Sequence, residues 1–317
     1  MKLVVFSICK DESATIGQVL DGIPASIPGI DEIEKVVISD GSSDDTAIVA
    51  SKHGARVVDS RNQKGLAYRF RQAVELALDE SADIAVGIDG DMQFNPADIP
   101  KLVKPIVEDG QDFVSANRFV GGRPKDMPIG KYLANRLGAW VVSKLTGEKF
   151  PDVTCGFRSY SKRALIALNL NGKQTYTQES FQILAMKRLN IVTIPIKVKY
   201  YPGRKSRVVT SFSKFLFGSA LNILRAYRDF APLKFFGTLG SIPFVTGAIL
   251  SIFVINHWLS AGSITPYKAI GFIGIYLVSI GLVLWVLGLV ADMLHRINNN
   301  QEKILEETKR IRYDDKE

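Results

Sequence analysis

The sequence is poor in cysteine and histidine. Its 317 residues hold two cysteines, Cys9 and Cys155, and three scattered histidines, His53, His257 and His295. So few thiols exclude a disulfide scaffold and suit a reducing compartment. Three histidines this far apart argue against a His-rich metal site. Internal repeats and long low-complexity linkers are missing, and 46% of the residues are hydrophobic, which excludes disordered and collagen-like chains. No signal peptide is expected. In MKLVVFSICKDE the apolar run is short and reaches Lys10 and Asp11 without a cleavage site, so it reads as a first β-strand. Charge is nearly absent from one long region: residues 235–291 contain only Lys268.

That region holds two apolar stretches, 235–256 and 269–291. As a helix the first is about 33 Å long at ~1.5 Å per residue, enough to cross a hydrocarbon core of about 30 Å. Buried core helices are the competing reading, but two adjacent runs of this length favour membrane spans. Positive charge is placed unevenly. The chain has 40 Lys and Arg against 32 Asp and Glu, a net +8. Residues 197–234 alone hold nine Lys and Arg against one acid, Asp229, which is also +8. The positive-inside rule puts this segment in the cytoplasm, the connector 257–268 outside, and 292–317 back inside. Its place beside the membrane suits anionic lipid head groups. Within it, 211–230 has apolar residues at helical spacing with Lys214, Arg225 and Arg228. It reads as an amphipathic basic helix, lying in the membrane interface or packed on the preceding domain. The surplus is not interleaved with stacking aromatics, so no nucleic-acid partner is expected.

The first two-thirds of the chain alternate β-rich runs with helical patterns. LVVFSI, KVVISD, ARVVDS, DIAVGID and DFVSAN read as strands, and 13–21, 44–53, 64–79 and 96–108 as helices. This alternation predicts an α/β fold, a Rossmann-like and mostly parallel sheet with helices on both faces. Ligands of such sheets bind beyond the carboxyl ends of the strands. Strand two runs into Ser39-Asp40-Gly41-Ser42-Ser43-Asp44-Asp45-Thr46, where Gly41 permits a tight turn and the acids cap a helix or accept bonds from a base or ribose. Strand four ends at Asp89-Gly90-Asp91-Met92-Gln93. Two carboxylates leaving a buried strand suit a hard divalent cation, or else a capped turn.

Taken together, these motifs resemble the family-2 glycosyltransferases of GT-A fold. The likeness is greatest to the dolichyl-phosphate-mannose synthase-like and bacterial polyprenyl-phosphate branch, whose members end in a two-helix membrane hairpin. Glu12 matches the last acid of the family's first-strand motif. SDGSSDDT at 39–46 resembles DDGSxDxT, with Ser39 for the first Asp, and implies that Asp40 and Ser42 contact the nucleotide. Asn62, Lys64, Gly65 and Ala67 resemble N-x-G-x-G-x-A, with Lys64 replacing a glycine. Asp89, Asp91 and Gln93 match DxDxQ, which implies Mg2+ or Mn2+ bound against the donor diphosphate. Asn117-Arg118 resembles G-S-R, and Asp152 with Gly156-Phe157-Arg158 resembles D-x-x-x-G-F-R. Gln178 and Glu179 stand at the family's polar pair near the sugar. Arg204, Arg207, Ser213 and Lys214 resemble the R-x-x-G-x-S-K segment, without its glycine.

The resemblance implies one sugar moved from a nucleotide-diphosphate sugar, UDP-glucose-like or GDP-mannose-like, to a polyprenyl phosphate at the cytoplasmic membrane face, with inversion. The lipid phosphate is already a nucleophile, so the site must supply orientation and charge neutralisation. Arg118, Arg204, Arg207 and Lys214 are the cations expected at the acceptor phosphate. Asp152 and Glu179 are expected to orient sugar hydroxyls or the acceptor, Asp152 with a general base as its other role. The expected organisation is a cytoplasmic catalytic domain 1–205, a basic juxtamembrane segment 206–234, a hairpin 235–292 and a cytoplasmic tail 293–317. The tail reads equally as helix, partner contact or disorder, and a homo-oligomer, with a tetramer among the options, is expected. A processive polysaccharide synthase is disfavoured, because no Q-x-x-R-W-like segment is present and two spans are few for a channel. A non-catalytic nucleotide-sugar-binding subunit is the remaining alternative.

Overall fold

Strands that alternate sides bury both sets of side chains only if both faces of their sheet are covered. The computed structural model, which describes residues 1–170, 176–201, 227–228 and 231–314, has this arrangement. Residues 1–212 with 306–317 form one compact unit, and 213–305 form a second. In the first unit the order is β1 (Lys2–Cys9), α1 (Ile16–Asp21), β2 (Glu32–Asp40), α2 (Thr46–Lys52), β3 (Arg56–Ser60), α3 (Leu66–Asp79) and β4 (Ile84–Gly87). Then follow α4 (Ile99–Asp109), β5 (Phe113–Asn117), α5 (Ile129–Thr146), β6 (Arg158–Ser161), α6 (Lys162–Ala167), α7 (Thr177–Met186) and β7 (Ile191–Pro195).

The seven strands form one sheet in the order β3-β2-β1-β4-β6-β5-β7. Every pairing is parallel except those of β6, which runs antiparallel to β4 and β5. On β1, Val4 and Phe6 face α3 and its Phe70, while Leu3 and Val5 face α1 and α4. All four are buried. The five strands and four helices expected from the sequence are present. The structure adds β6, β7 and the helices α5 to α7.

The second unit contains α8 (Pro232–Ala261) and the first part of α9 (Lys268–Asp314). Both are long and apolar enough to cross a membrane. Their large apolar side chains point outward, with Ile242, Ile252 and Phe272 all exposed. Glycines bring the two helices together: a Cβ on Gly247 would lie 2.5 Å from the Gly274 carbonyl, and one on Gly240 would lie 2.9 Å from that of Gly281. This is the small-residue packing of membrane helices. The tail is helix, since α9 runs without a break to Asp314. Its last turns belong to the first unit. Lys187 bridges to Glu306 at 2.9 Å, Lys309 donates to the Leu168 carbonyl at 2.8 Å, and Tyr313 is buried. Arg204, Arg207, Lys214 and most of 206–234 lie outside the described residues.

Candidate active site

The carboxyl ends of β1, β2, β4 and β5 bring most of the expected site residues to one edge of the sheet. At the end of β2, Asp40 is buried yet charged. Its carboxylate accepts from the Lys64 and Gly65 amides at 2.7 and 2.9 Å and from Arg69 Nε at 2.7 Å. Burial pushes the carboxyl upward, but these amides and the guanidinium outweigh it and hold it below the usual range. Asp40 therefore ties the 62–65 loop to the sheet. Gly41 follows with φ +69, and a Cβ there would lie 2.9 Å from the Gln63 amide, so the turn admits only glycine. Ser42 Oγ accepts from the Asp11 amide at 3.2 Å, which joins the turns after β1 and β2. The Glu12 amide donates to Thr46 Oγ1 at 2.8 Å, and its carboxylate lies 3.4 Å from Thr15 Oγ1. The Lys64 side chain lies over the Tyr68 ring, with Nζ 3.2 Å from the phenol oxygen.

Beyond β4, Asp91 accepts from the Gln93 amide at 3.0 Å, and Met92 between them takes a left-handed φ of 57°. Non-glycine residues in that region gather at functional sites. Asp89 lies against Gly156, where a Cβ would come within 3.0 Å of its Oδ1. Gly90 packs on Cys9, whose thiol burial pushes up to about 12, so Cys9 is an inert filler beneath the loop. No group of three or more His, Cys, Asp or Glu able to hold a metal exists among the described residues. Two carboxylates and an amide oxygen are nonetheless a hard donor set that fits Mg2+ or Mn2+, which commonly take one or two carboxylates and complete their shell with substrate phosphates and water.

Arg118 follows β5. It meets Asp152 as a fork, Nε to Oδ2 at 2.7 Å and Nη2 to Oδ1 at 2.8 Å, and also donates to Thr154 Oγ1 at 2.7 Å. Asp152 is fully buried, and besides Arg118 it accepts from the Thr154 amide at 3.1 Å. Burial raises its carboxyl, but Arg118 overrides this and keeps it below the usual range. Both oxygens are thus committed to Arg118 and its own turn. Arg118 and Gln93 line a cavity of about 980 Å³, together with Asn117, Lys125, Lys197 and Lys199. On α7, Gln178 turns its amide toward Gly138 of α5, and Glu179 is half-buried in the first turn.

Sequence reasoning missed two cations. Arg69 is buried against Asp40 and is hidden in the ordinary pattern of α3. Lys131, near the start of α5, is pushed below the usual lysine range by burial and by Arg118, while Asp89 and Asp91 oppose the shift. Its Nζ lies 5.2 Å from the centre of the Tyr200 ring, whose hydroxyl accepts from Arg118 Nη1 at 3.4 Å. Lys131 belongs to none of the motifs quoted, and only the fold brings it there.

Comparison with known proteins gives this geometry a family. The family model described as glycosyl transferase family 2 matches residues 4–168. Glycosyltransferase AglJ of Haloferax volcanii is 28% identical over 86% of this chain and 88% of its own. The dolichyl-phosphate hexose transferase of the same organism is 31% identical, over 69% of this chain and 89% of its own. The undecaprenyl-phosphate 4-deoxy-4-formamido-L-arabinose transferase of Proteus mirabilis is 24% identical, over 92% of this chain and 87% of its own. Among solved structures, glucosyl-3-phosphoglycerate synthase of Mycobacterium tuberculosis, in complex with Mn2+, UDP-glucose and phosphoglyceric acid, shares the fold. Its TM-score is 0.55 at 23% identity, covering 70% of this chain and 79% of that one.

Proposed function

The chain belongs to glycosyl transferase family 2, and on that premise we propose that it transfers one sugar from a UDP- or GDP-sugar to a polyprenyl phosphate at the cytoplasmic membrane face. The observation that carries this reading is the joint setting of Arg118 and Lys131 about Tyr200, with Arg118 lining the cavity that Gln93 of the Asp89–Gln93 turn also lines, in a chain that also bears two membrane-length apolar helices. A donor diphosphate and an acceptor phosphate both need cations, and the acceptor needs a lipid surface. The names of the relatives support the acceptor class, since two act on dolichyl or undecaprenyl phosphate.

Roles follow from residue chemistry. Asp40, through the 62–65 loop, and Ser42 and Glu12, through the turns they join, shape the nucleotide end. Asp89, Asp91 and Gln93 would hold Mg2+ or Mn2+, which supplies charge neutralisation for the departing diphosphate. Arg118, stiffened by Asp152, and Lys131 orient the acceptor phosphate, which attacks the anomeric carbon directly and inverts it. A phosphate with a second pKa of about 6 needs no strong base at neutral pH. Arg204, Arg207 and Lys214, which lie outside the described residues, are the further candidates for the acceptor phosphate, and Gln178 and Glu179 are the candidate polar pair for the sugar.

The outer face of α5 supports the membrane setting. Ile129, Leu133, Leu137 and Trp140 are 45–66% exposed, and Arg136 and Lys144 share their side of the helix. Exposed apolar residues flanked by cations are what an anionic bilayer surface receives. The purified chain, in vesicles carrying undecaprenyl phosphate, is tested against a panel of UDP- and GDP-sugars. One donor is expected to release its nucleoside diphosphate, dependent on the lipid phosphate and on divalent metal. Binding of donors without release would overturn the catalytic reading.

A further inference from the structure

Arg158 is the largest side chain fully enclosed in the catalytic unit. No carboxylate pairs with it among the described residues. Its charge instead lies over three rings, 4.9 Å from the centre of Phe181, 5.5 Å from Phe113 and 5.7 Å from Tyr176. Nη2 donates to the Val153 carbonyl at 2.9 Å, and the buried Tyr160 hydroxyl is the other polar group beside the guanidinium. A buried cation without a counter-ion is an expensive way to fill an aromatic core, and an apolar side chain of similar volume is usually as stable or more so. The stability of the core therefore does not explain an arginine here.

Its hydrogen bond to Val153 does. Residues 151–157 have no helical or strand geometry, so their backbone needs holding from outside. Val153 lies between Asp152, which forks Arg118, and Thr154, whose hydroxyl accepts from the same guanidinium. We propose that Arg158 is a positioning residue: by fixing the Val153 carbonyl from inside the sheet, it sets the turn that aims Arg118 at the substrate phosphate. The proposal rests on the function reading above for the identity of that phosphate.

The test is a double-mutant cycle on the full chain in detergent, with farnesyl phosphate as the soluble acceptor probe. Arg158→Met is expected to keep or raise the melting temperature and to weaken farnesyl phosphate binding about tenfold, equivalent to about 1.4 kcal/mol. Affinity for the bare nucleoside, uridine or guanosine, should stay unchanged, because Asp40 and the 62–65 loop are held by each other and by Arg69. Combined with Arg118→Lys, it should add no further loss, the mark of two residues acting in series. Arg158→Lys, which keeps the charge but not the planar fork, should show the same weakening. Unchanged acceptor binding, losses that add with Arg118→Lys, or failure of both Arg158 variants to fold would each overturn the proposal. If the wild-type chain ignores farnesyl phosphate while binding nucleotide, the function reading fails. The same cycle read with inorganic pyrophosphate then decides the role of Arg158, coupling supporting it and additivity overturning it.

Discussion

Asp40 and Asp152 are carboxylates kept charged away from water, each by an arginine. For Asp40 the partner is Arg69, and both side chains are almost completely enclosed. Removing one member of such a pair strands the other, so Asp40→Ala should destabilise the catalytic unit by about 3–5 kcal/mol, read by denaturant unfolding. Asp44 behaves differently because it is exposed. Loss of hydration is the largest single influence and raises its carboxyl, but the hydrogen bonds from Thr46 and Ser13 together outweigh it and lower it to about 2. Its folded value lies below the unfolded value of about 3.9, so its contribution is full above about pH 4 and is lost as pH falls toward about 2. The melting temperature should fall across that window, and less steeply in Asp44→Asn. At Asp91 the expectation concerns chemistry. Asp91→Asn should abolish transfer while the protein stays folded and membrane-bound, and wild-type turnover by that variant would remove Asp91 from the metal site. The acids at the ends of β2 and β4 were legible because strand-end placement follows from hydrophobic alternation. The partner of Asp152 was not, since residue type does not tell whether a carboxylate faces a sugar or an arginine inside its own protein.

At the scale of elements, β1 to β5 and the helices between them were legible from apolar runs and periodicity. β6 was not. Its sequence, RSYS, is four residues of polar character, and it is buried because β4 and β5 flank it and aromatic side chains shelter its arginine. β7 ends in proline and pairs on one side only, so it lacks the signal of a central strand. α5 escaped for a different reason. Its apolar residues point outward as well as inward, which blurs the stripe that marks an ordinary surface helix. If that outer face meets lipid, replacing Leu133 and Trp140 together by glutamine should reduce transfer to acceptor held in vesicles several-fold. Transfer to a short-chain acceptor in detergent should hardly change. Equal losses in both assays would show that the stripe serves folding or catalysis and not the bilayer.

The whole molecule divides into two units. The first unit carries the carboxylates and cations of the site, and the second carries membrane-length helices joined through glycines. At 47 residues, α9 is about 70 Å long, more than twice a hydrocarbon core of about 30 Å. The apolar half of that helix was readable from composition. Its continuation to Asp314, and the burial of Tyr313, were not, because a mixed-charge tail carries no signal for what it packs against. The central claim, a single sugar placed on a lipid phosphate, is tested most directly by the mass of the lipid product after exhaustive reaction. Undecaprenyl phosphate incubated with the chain, its preferred donor and Mg2+ or Mn2+ should gain the mass of one sugar and no more, and should gain nothing when a chelator is present. A ladder of added sugars, or an unchanged lipid while the donor is bound, would contradict it.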